Sequence, residues 1–220
     1  MRRADTFLAS TVGRKVVMAV TGVILFGFIC VHMIGNLQVY MGAEALNHYG
    51  RFLKTFLHGG GIWIFRAVII TCVVLHGWAA VTLALENWKA RPVGYRKNLW
   101  RQSSYASRTM VWGGPIILLF LLYHLLHLTF GTLHPNFVEE DVYHNVIAGF
   151  QVLPVSIVYI VAMLVLGFHL YHGVWSMLQT LGLSHPRYNP LRKAFATAFA
   201  VLIAAGNISF PLMVMAGRLR

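Results

Sequence analysis

Val152-Leu-Pro-Val-Ser-Ile-Val-Tyr-Ile-Val-Ala-Met-Leu-Val-Leu-Gly-Phe-His169-Leu-Tyr-His172-Gly-Val-Trp-Ser-Met-Leu-Gln-Thr-Leu181 contains no Asp, Glu, Lys or Arg. A helix rises about 1.5 Å per residue against a hydrocarbon layer about 30 Å thick, so roughly 20 apolar residues suffice to cross a membrane. This stretch is long enough with residues to spare. Four others read the same way, at about 16–40, 62–88, 110–131 and 194–217. Composition agrees, with 58% hydrophobic residues, 11% charged residues and a mean hydropathy of +0.66. These spans use most of the 220 residues, which predicts one all-α membrane domain over 1–220, an integral bundle of five transmembrane helices.

Lys and Arg gather on the cytoplasmic flanks of membrane helices. Arg2, Arg3, Arg14 and Lys15 precede the first span. Lys89, Arg91, Arg96, Lys97, Arg101 and Arg108 separate the second from the third, and Arg187, Arg192 and Lys193 the fourth from the fifth. The opposite side has Arg51, Lys54, Arg66, Arg218 and Arg220, with the acidic run Glu139, Glu140, Asp141. The N-terminus is therefore expected in the cytoplasm and the C-terminus outside. The net charge of +12 flanks spans instead of forming a basic face, so membrane lipid and an acidic partner surface are expected to meet it and nucleic acid is not. Ala43-Glu44-Ala45 has the form of a signal-peptidase site, but the apolar run before it is too long for a signal peptide and no cleavage is expected there. Cys30 and Cys72 form no CxxC pair and read as small buried apolar residues.

Between Tyr40 and Gly59, Leu46, Tyr49, Phe52, Leu53, Phe56 and Leu57 recur at helical spacing, as expected of a helix lying in the outer interface. The segment 89–108, broken by Pro92 and Gly94, reads as a cytoplasmic connection.

The informative residues are histidines inside the spans: His32, His76, His124, His127, His169 and His172. An ionisable ring in hydrocarbon is costly and marks a functional site by default. Counted along their helices, His32 and His124 lie toward the outside, whereas His76 and His169 lie roughly 22 Å from the outer end. Two tiers of imidazole pairs, one ring from each of four helices, are what a membrane-spanning chain of two haems requires. Imidazole suits this because one neutral nitrogen can bind iron while the other donates to a carbonyl. Gly27, Gly35, Gly77 and Gly173 sit near these histidines, where a missing side chain lets a flat macrocycle approach. His127 and His172 follow His124 and His169 by three residues and share their faces, so spacing leaves them as alternative ligands.

Phe28-Ile-Cys-Val-His32-Met-Ile-Gly, Val74-Leu-His76-Gly-Trp, Leu122-Tyr-His124-Leu-Leu-His-Leu-Thr and Gly167-Phe-His169-Leu-Tyr-His-Gly-Val-Trp-Ser resemble the cytochrome b membrane anchor of succinate dehydrogenase and fumarate reductase, in its single-anchor, two-haem class. The resemblance covers essentially the whole chain, and the fourth-span motif is its most specific part. It implies two haem b, with His32 and His124 on the outer iron and His76 and His169 on the inner one. His127 and His172 then become supporting or propionate-side groups. It implies electron transfer between a membrane quinone, menaquinone ahead of ubiquinone, and the iron–sulfur and flavoprotein subunits of complex II. The location would be the cytoplasmic (inner) membrane of a prokaryote.

On this reading the dicarboxylate chemistry belongs to the partners, since the chain has no nucleophile and no nucleotide loop. Arg14, Lys15, Arg108 and Lys193 are candidates for contacts with haem propionates. Glu44, Asn47, His48 and Arg51 are candidates for an outer quinone site, where a few polar groups should meet an apolar slot. Gly167 stands where members of the family can carry a glutamate implicated in proton movement, so that path is not expected here.

Two alternatives share parts of the pattern. Dihaem anchors of nitrate reductases or membrane hydrogenases perform a related task, but nitrate-reductase anchors concentrate their ligands on two helices. A proton-linked transporter would show paired halves, and five spans without intramembrane carboxylates argue against it.

Overall fold

A computed structural model describes residues 7–90 and 105–220. Helix α1 runs Thr11–Asn36 and tightens into a 3₁₀ turn at Leu37–Met41; α2 is Ala43–Thr55, α3 Gly60–Lys89 and α4 Tyr105–His124. A π turn at Leu125–Thr129 continues α4, followed by α5 Val142–Gln151, α6 Leu153–Thr180 and α7 Asn189–Met215. Among the described residues there is no strand, and five helices are long and apolar enough to cross a membrane. The all-α, five-span fold class expected from the sequence is the one observed. Arg2, Arg3, Arg91, Pro92, Gly94, Arg96, Lys97 and Arg101, used above for orientation and for the connection, lie outside the described residues.

Helix ends follow local chemistry more than hydropathy. Helix α1 begins at Thr11, ahead of its apolar run, because the Ser10 hydroxyl accepts a hydrogen bond from Gly13 N at 3.0 Å, satisfying one of the donors that every helix start leaves open. Helices α6 and α7 each start with a proline, Pro154 and Pro190, where the missing N–H costs nothing. Helix α7 therefore begins five residues before the expected 194 and takes in Arg192. That residue is buried at 6% exposure, stacks on Trp175 at 3.9 Å and donates to the Leu183 carbonyl, so it anchors the α6–α7 turn instead of facing the membrane surface.

Two buried clusters hold the bundle. Leu170 and Val174 of α6 meet Ala196, Phe199, Ala200 and Ile203 of α7, with Phe26, Ile29, Cys30 and Met33 of α1 packed against them. Small residues bring these helices close, as membrane interfaces require. A Cβ at Gly167 would lie 3.3 Å from the Ala204 Cβ, so the glycine at that position serves the α6–α7 contact. The second cluster joins Val39, Leu46, Ile147, Phe150, Tyr159, Phe210 and Val214 at the other end of the bundle. Cys72 is buried, Cys30 is half-buried, and both are free thiols. Elsewhere α3 leaves Trp63, Ile64, Ile70 and Val74 more than 60% exposed, the composition of a lipid-facing surface.

Two expectations are corrected. The spans do contain a carboxylate: Glu86, in the last turn of α3, pairs with Arg14 of α1. Its place near the helix end, beside a guanidinium, is what makes a charge tolerable there. Gly35 does not open space for a macrocycle. A Cβ there would lie 2.5 Å from the Tyr49 ring, so Gly35 lets the amphipathic helix α2 close against α1.

The short helix α5 was not anticipated, although Asp141 followed by Val142, Val146, Ile147 and Phe150 carries the signal of a capped amphipathic helix. The Asp141 carboxylate accepts from His144 N at 2.9 Å.

Candidate haem and quinone sites

The four spans that carry histidines turn them toward one another in pairs. His32 of α1 faces His124 of α4 with ring centres 5.9 Å apart, and His76 of α3 faces His169 of α6 at 6.3 Å. Two imidazoles sharing one metal ion, each bonded at about 2.0–2.1 Å with its ring centre about 1.1 Å behind the nitrogen, stand roughly 6 Å apart. Both pairs meet that spacing.

Their nitrogens are engaged differently. His76 Nδ1 lies 3.2 Å from the Met18 carbonyl and 3.2 Å from the Thr21 hydroxyl. Donation to a carbonyl requires the proton on Nδ1, which leaves a lone pair on Nε2. The Asn36 amide donates to His32 Nε2 at 3.3 Å, so that lone pair is held by Asn36 here and would bind iron only with Asn36 turned away. His169 Nδ1 is buried without a partner. Gly27, Gly77 and Gly173 have nothing within 4 Å of where a Cβ would stand, whereas a Cβ at Gly22 would lie 3.7 Å from the His76 ring. The donor type and the spacing fit haem.

The neighbouring histidines are placed differently. His127 is fully buried, stacked between Tyr123 (5.5 Å) and His134 (4.8 Å). Its Nδ1 is 3.0 Å from the Tyr159 hydroxyl, which is also 3.3 Å from His124 Nδ1. His172 is half-buried one turn beyond His169. Tyr159 was not singled out in the sequence, because a tyrosine within an apolar run carries no periodic signal; only the fold sets its hydroxyl between two imidazoles. His134, in the connection after the π turn, and Asn145 of α5 also went unmarked, because they lie outside the spans; His134 Nε2 donates to the Asn145 carbonyl at 2.8 Å.

Of the propionate candidates, Arg14 is engaged with Glu86 and with the Leu8 and Ala9 carbonyls, which ties α1 to α3. Lys15, Arg108 and Lys193 are exposed, and the Arg108 guanidinium lies 5.9 Å from the Tyr105 ring.

Of the quinone candidates, Glu44, His48 and Arg51 share an exposed face of α2. Asn47, half-buried beside them, uses both ends of its amide, donating to Asp141 at 2.9 Å and accepting from Tyr143 N at 2.9 Å. It is a clasp between α2 and α5.

The His144 backbone N–H, and after it the Asn47 amide, hold the Asp141 carboxyl below its ordinary value. Since the folded state then binds its proton less readily than the unfolded chain, the clasp contributes stability above the unfolded carboxyl value of about 4 and loses it as pH falls through the folded one. Hydrogen exchange at Tyr143 and His144 is expected to accelerate over that acid range. Asn47→Ala is expected to weaken the clasp at neutral pH by about 1–3 kcal/mol, seen as faster exchange at the same amides.

A family model described as succinate dehydrogenase/fumarate reductase transmembrane subunit matches residues 87–207, more than half of the chain. The matched stretch contains His124, His127, His169 and His172, while His32 and His76 precede it. No curated protein and no solved structure matches the chain.

Proposed function

The chain belongs to the family of succinate dehydrogenase/fumarate reductase transmembrane subunits, and from that premise we propose that it is a dihaem cytochrome b anchor, carrying electrons between membrane quinone and an iron–sulfur subunit. The observation that carries the two-haem reading is the pairing of four imidazoles from four helices, at 5.9 and 6.3 Å. His32 and His124 would hold the outer haem and His76 and His169 the inner one, with His127 and His172 as neighbours and not ligands.

When bound, each haem supplies a one-electron iron couple. The protein supplies the rest. Neutral imidazoles ligate without adding charge to the hydrocarbon region. The Met18 carbonyl fixes the His76 tautomer so that Nε2 keeps its lone pair, as supporting groups do around metal-bound histidines. The Arg14–Glu86 pair joins α1 to α3, the helices that bring one ligand to each tier.

Orientation follows the basic flanks, with the N-terminus and the inner pair toward the cytoplasm and the C-terminus outside. Lys15, Arg108 and Lys193 are then placed to meet propionates or the iron–sulfur subunit. The exposed face of Glu44, His48 and Arg51 borders the outer pair's end of the bundle as the candidate quinone edge, with menaquinone as the preferred quinone. The flavoprotein and iron–sulfur partners would dock on the cytoplasmic side of a prokaryotic inner membrane, and the succinate and fumarate chemistry is theirs.

The test is a reduced-minus-oxidised spectrum with haem quantitation on the complex purified through this chain. Two b haems per chain, copurifying flavin and iron–sulfur subunits, and reduction of the haems by added quinol are expected. A colourless preparation, or one haem per chain, overturns the dihaem reading.

A further inference from the structure

We infer that Tyr159 is the positioning residue of the outer haem site: its hydroxyl holds the His124 ring in one tautomer and one orientation, and His127 is the buried anchor that aims that hydroxyl. The inference rests on His124 being an iron ligand.

Tyr159 is 6% exposed and His127 is not exposed at all, so neither hydrogen bond competes with solvent. The Tyr159 ring is fixed by edge contacts with Phe120 at 5.0 Å and Phe150 at 4.9 Å. Immediately after His124 the helix widens into its π turn, a rare distortion that concentrates at functional sites. With that widening, two imidazoles three residues apart both reach one hydroxyl, at 3.3 and 3.0 Å. On the far side of His127, Gly149 offers bare backbone; a Cβ there would lie 2.7 Å from the His127 ring.

One proton arrangement serves all three groups. If His124 gives Nε2 to a metal, its Nδ1 carries hydrogen and donates to the Tyr159 oxygen. The phenolic hydrogen then has one remaining acceptor, His127 Nδ1, which puts the His127 proton on Nε2. That nitrogen is buried without a partner. An unpaired buried donor is costly, and here it is the far end of a chain whose direction starts at the ligand. The inner ligand His76 leans instead on a backbone carbonyl and the Thr21 hydroxyl, so the two tiers are supported by different chemistry. A hydrogen bond from the distant nitrogen makes a ligating imidazole a stronger donor, which favours the ferric state and keeps the potential low.

The experiment is a redox titration of the intact complex, following each haem by its own spectrum, in wild type, Tyr159→Phe, His127→Phe and the double variant. Tyr159→Phe is expected to retain both haems and to raise the outer midpoint by a threefold to tenfold change in its oxidised-to-reduced ratio, about 28–59 mV for one electron. The inner midpoint should stay put. His127→Phe should move the outer midpoint in the same direction, and the double variant should move it no further than Tyr159→Phe alone, because the two groups act in series. Should His127→Phe fail to assemble, Tyr159→Phe decides alone, since it removes a single oxygen. Both haems present with the outer midpoint unmoved would overturn the positioning role, as would an equal shift of both haems. His124→Ala separates this from the underlying assignment: loss of the outer haem there, with a silent Tyr159→Phe, sinks the positioning role only. Retention of both haems in His124→Ala sinks the ligand assignment and the inference with it.

Discussion

His76→Ala is expected to remove the inner haem and leave the outer one, halving the haem per chain, and His169→Ala should do the same. His32→Ala and His124→Ala are expected to remove the outer haem instead. The physical basis is that His32 and His124 lie within about 6 Å of each other, as do His76 and His169, so each pair would hold one haem and losing either ring would remove half of that haem's protein attachment. The controls are His127→Ala and His172→Ala. His127 is wedged between Tyr123 and His134, and a ring held there is not available to His32. Both controls should keep two haems, with His127→Ala shifting only the outer spectrum. Haem quantitation of the purified variants, alongside subunit content, makes the comparison. Loss of the inner haem in His32→Ala would show that the pairs are assembled otherwise.

The second large effect is expected at Gly149. A methyl group there would lie 2.7 Å from His127 Cε1 and 3.1 Å from the Nε2 atoms of both His127 and His134. Neither ring can simply move aside. His127 is bonded to Tyr159, and His134 is held at both nitrogens, by the Asn145 carbonyl at 2.8 Å and by Asn136 N at 3.1 Å. Overpacking of this kind costs about 1–3 kcal/mol. Gly149→Ala should therefore lower the thermal midpoint of the purified complex measurably, and Gly149→Val more so. Because the displaced ring belongs to the chain that supports His124, the outer haem should be lost from Gly149→Val at a temperature where the inner haem is retained. Equal thermal stability of Gly149→Ala and wild type would mean that α5 is free to retreat.

Much of the fold was legible because the bilayer leaves few solutions. Every backbone polar group in hydrocarbon must be paired within its own segment, so long uncharged stretches such as 152–181 declared themselves as helices from composition alone. The amphipathic helix α2 was legible in the same way, from the spacing of Leu46, Tyr49, Phe52 and Leu53. Helix α5 was hidden, because ten residues between polar turns give a short pattern that competes with a loop reading. The start of α7 was hidden because Arg192 looks like a membrane-flank charge until Trp175 is seen beneath it.

At the site, depth along each helix was enough to sort four histidines into two tiers, since axial position is fixed by counting residues at a constant rise. Rotation about the helix axis was not fixed. His124 and His127, three residues apart, differ by a fraction of a turn, and a π turn between them alters even that. The sequence by itself determined that this is a five-helix membrane protein with histidines at two depths, because length, hydropathy and rise per residue are properties of one segment at a time. Only the tertiary structure decided that His32 meets His124 and His76 meets His169, that Gly35 makes room for Tyr49, that Asn47 clasps α5, and that Tyr159 joins His124 to His127. Those are facts about how faces of different helices meet, and they are set by side-chain packing between segments distant in the chain.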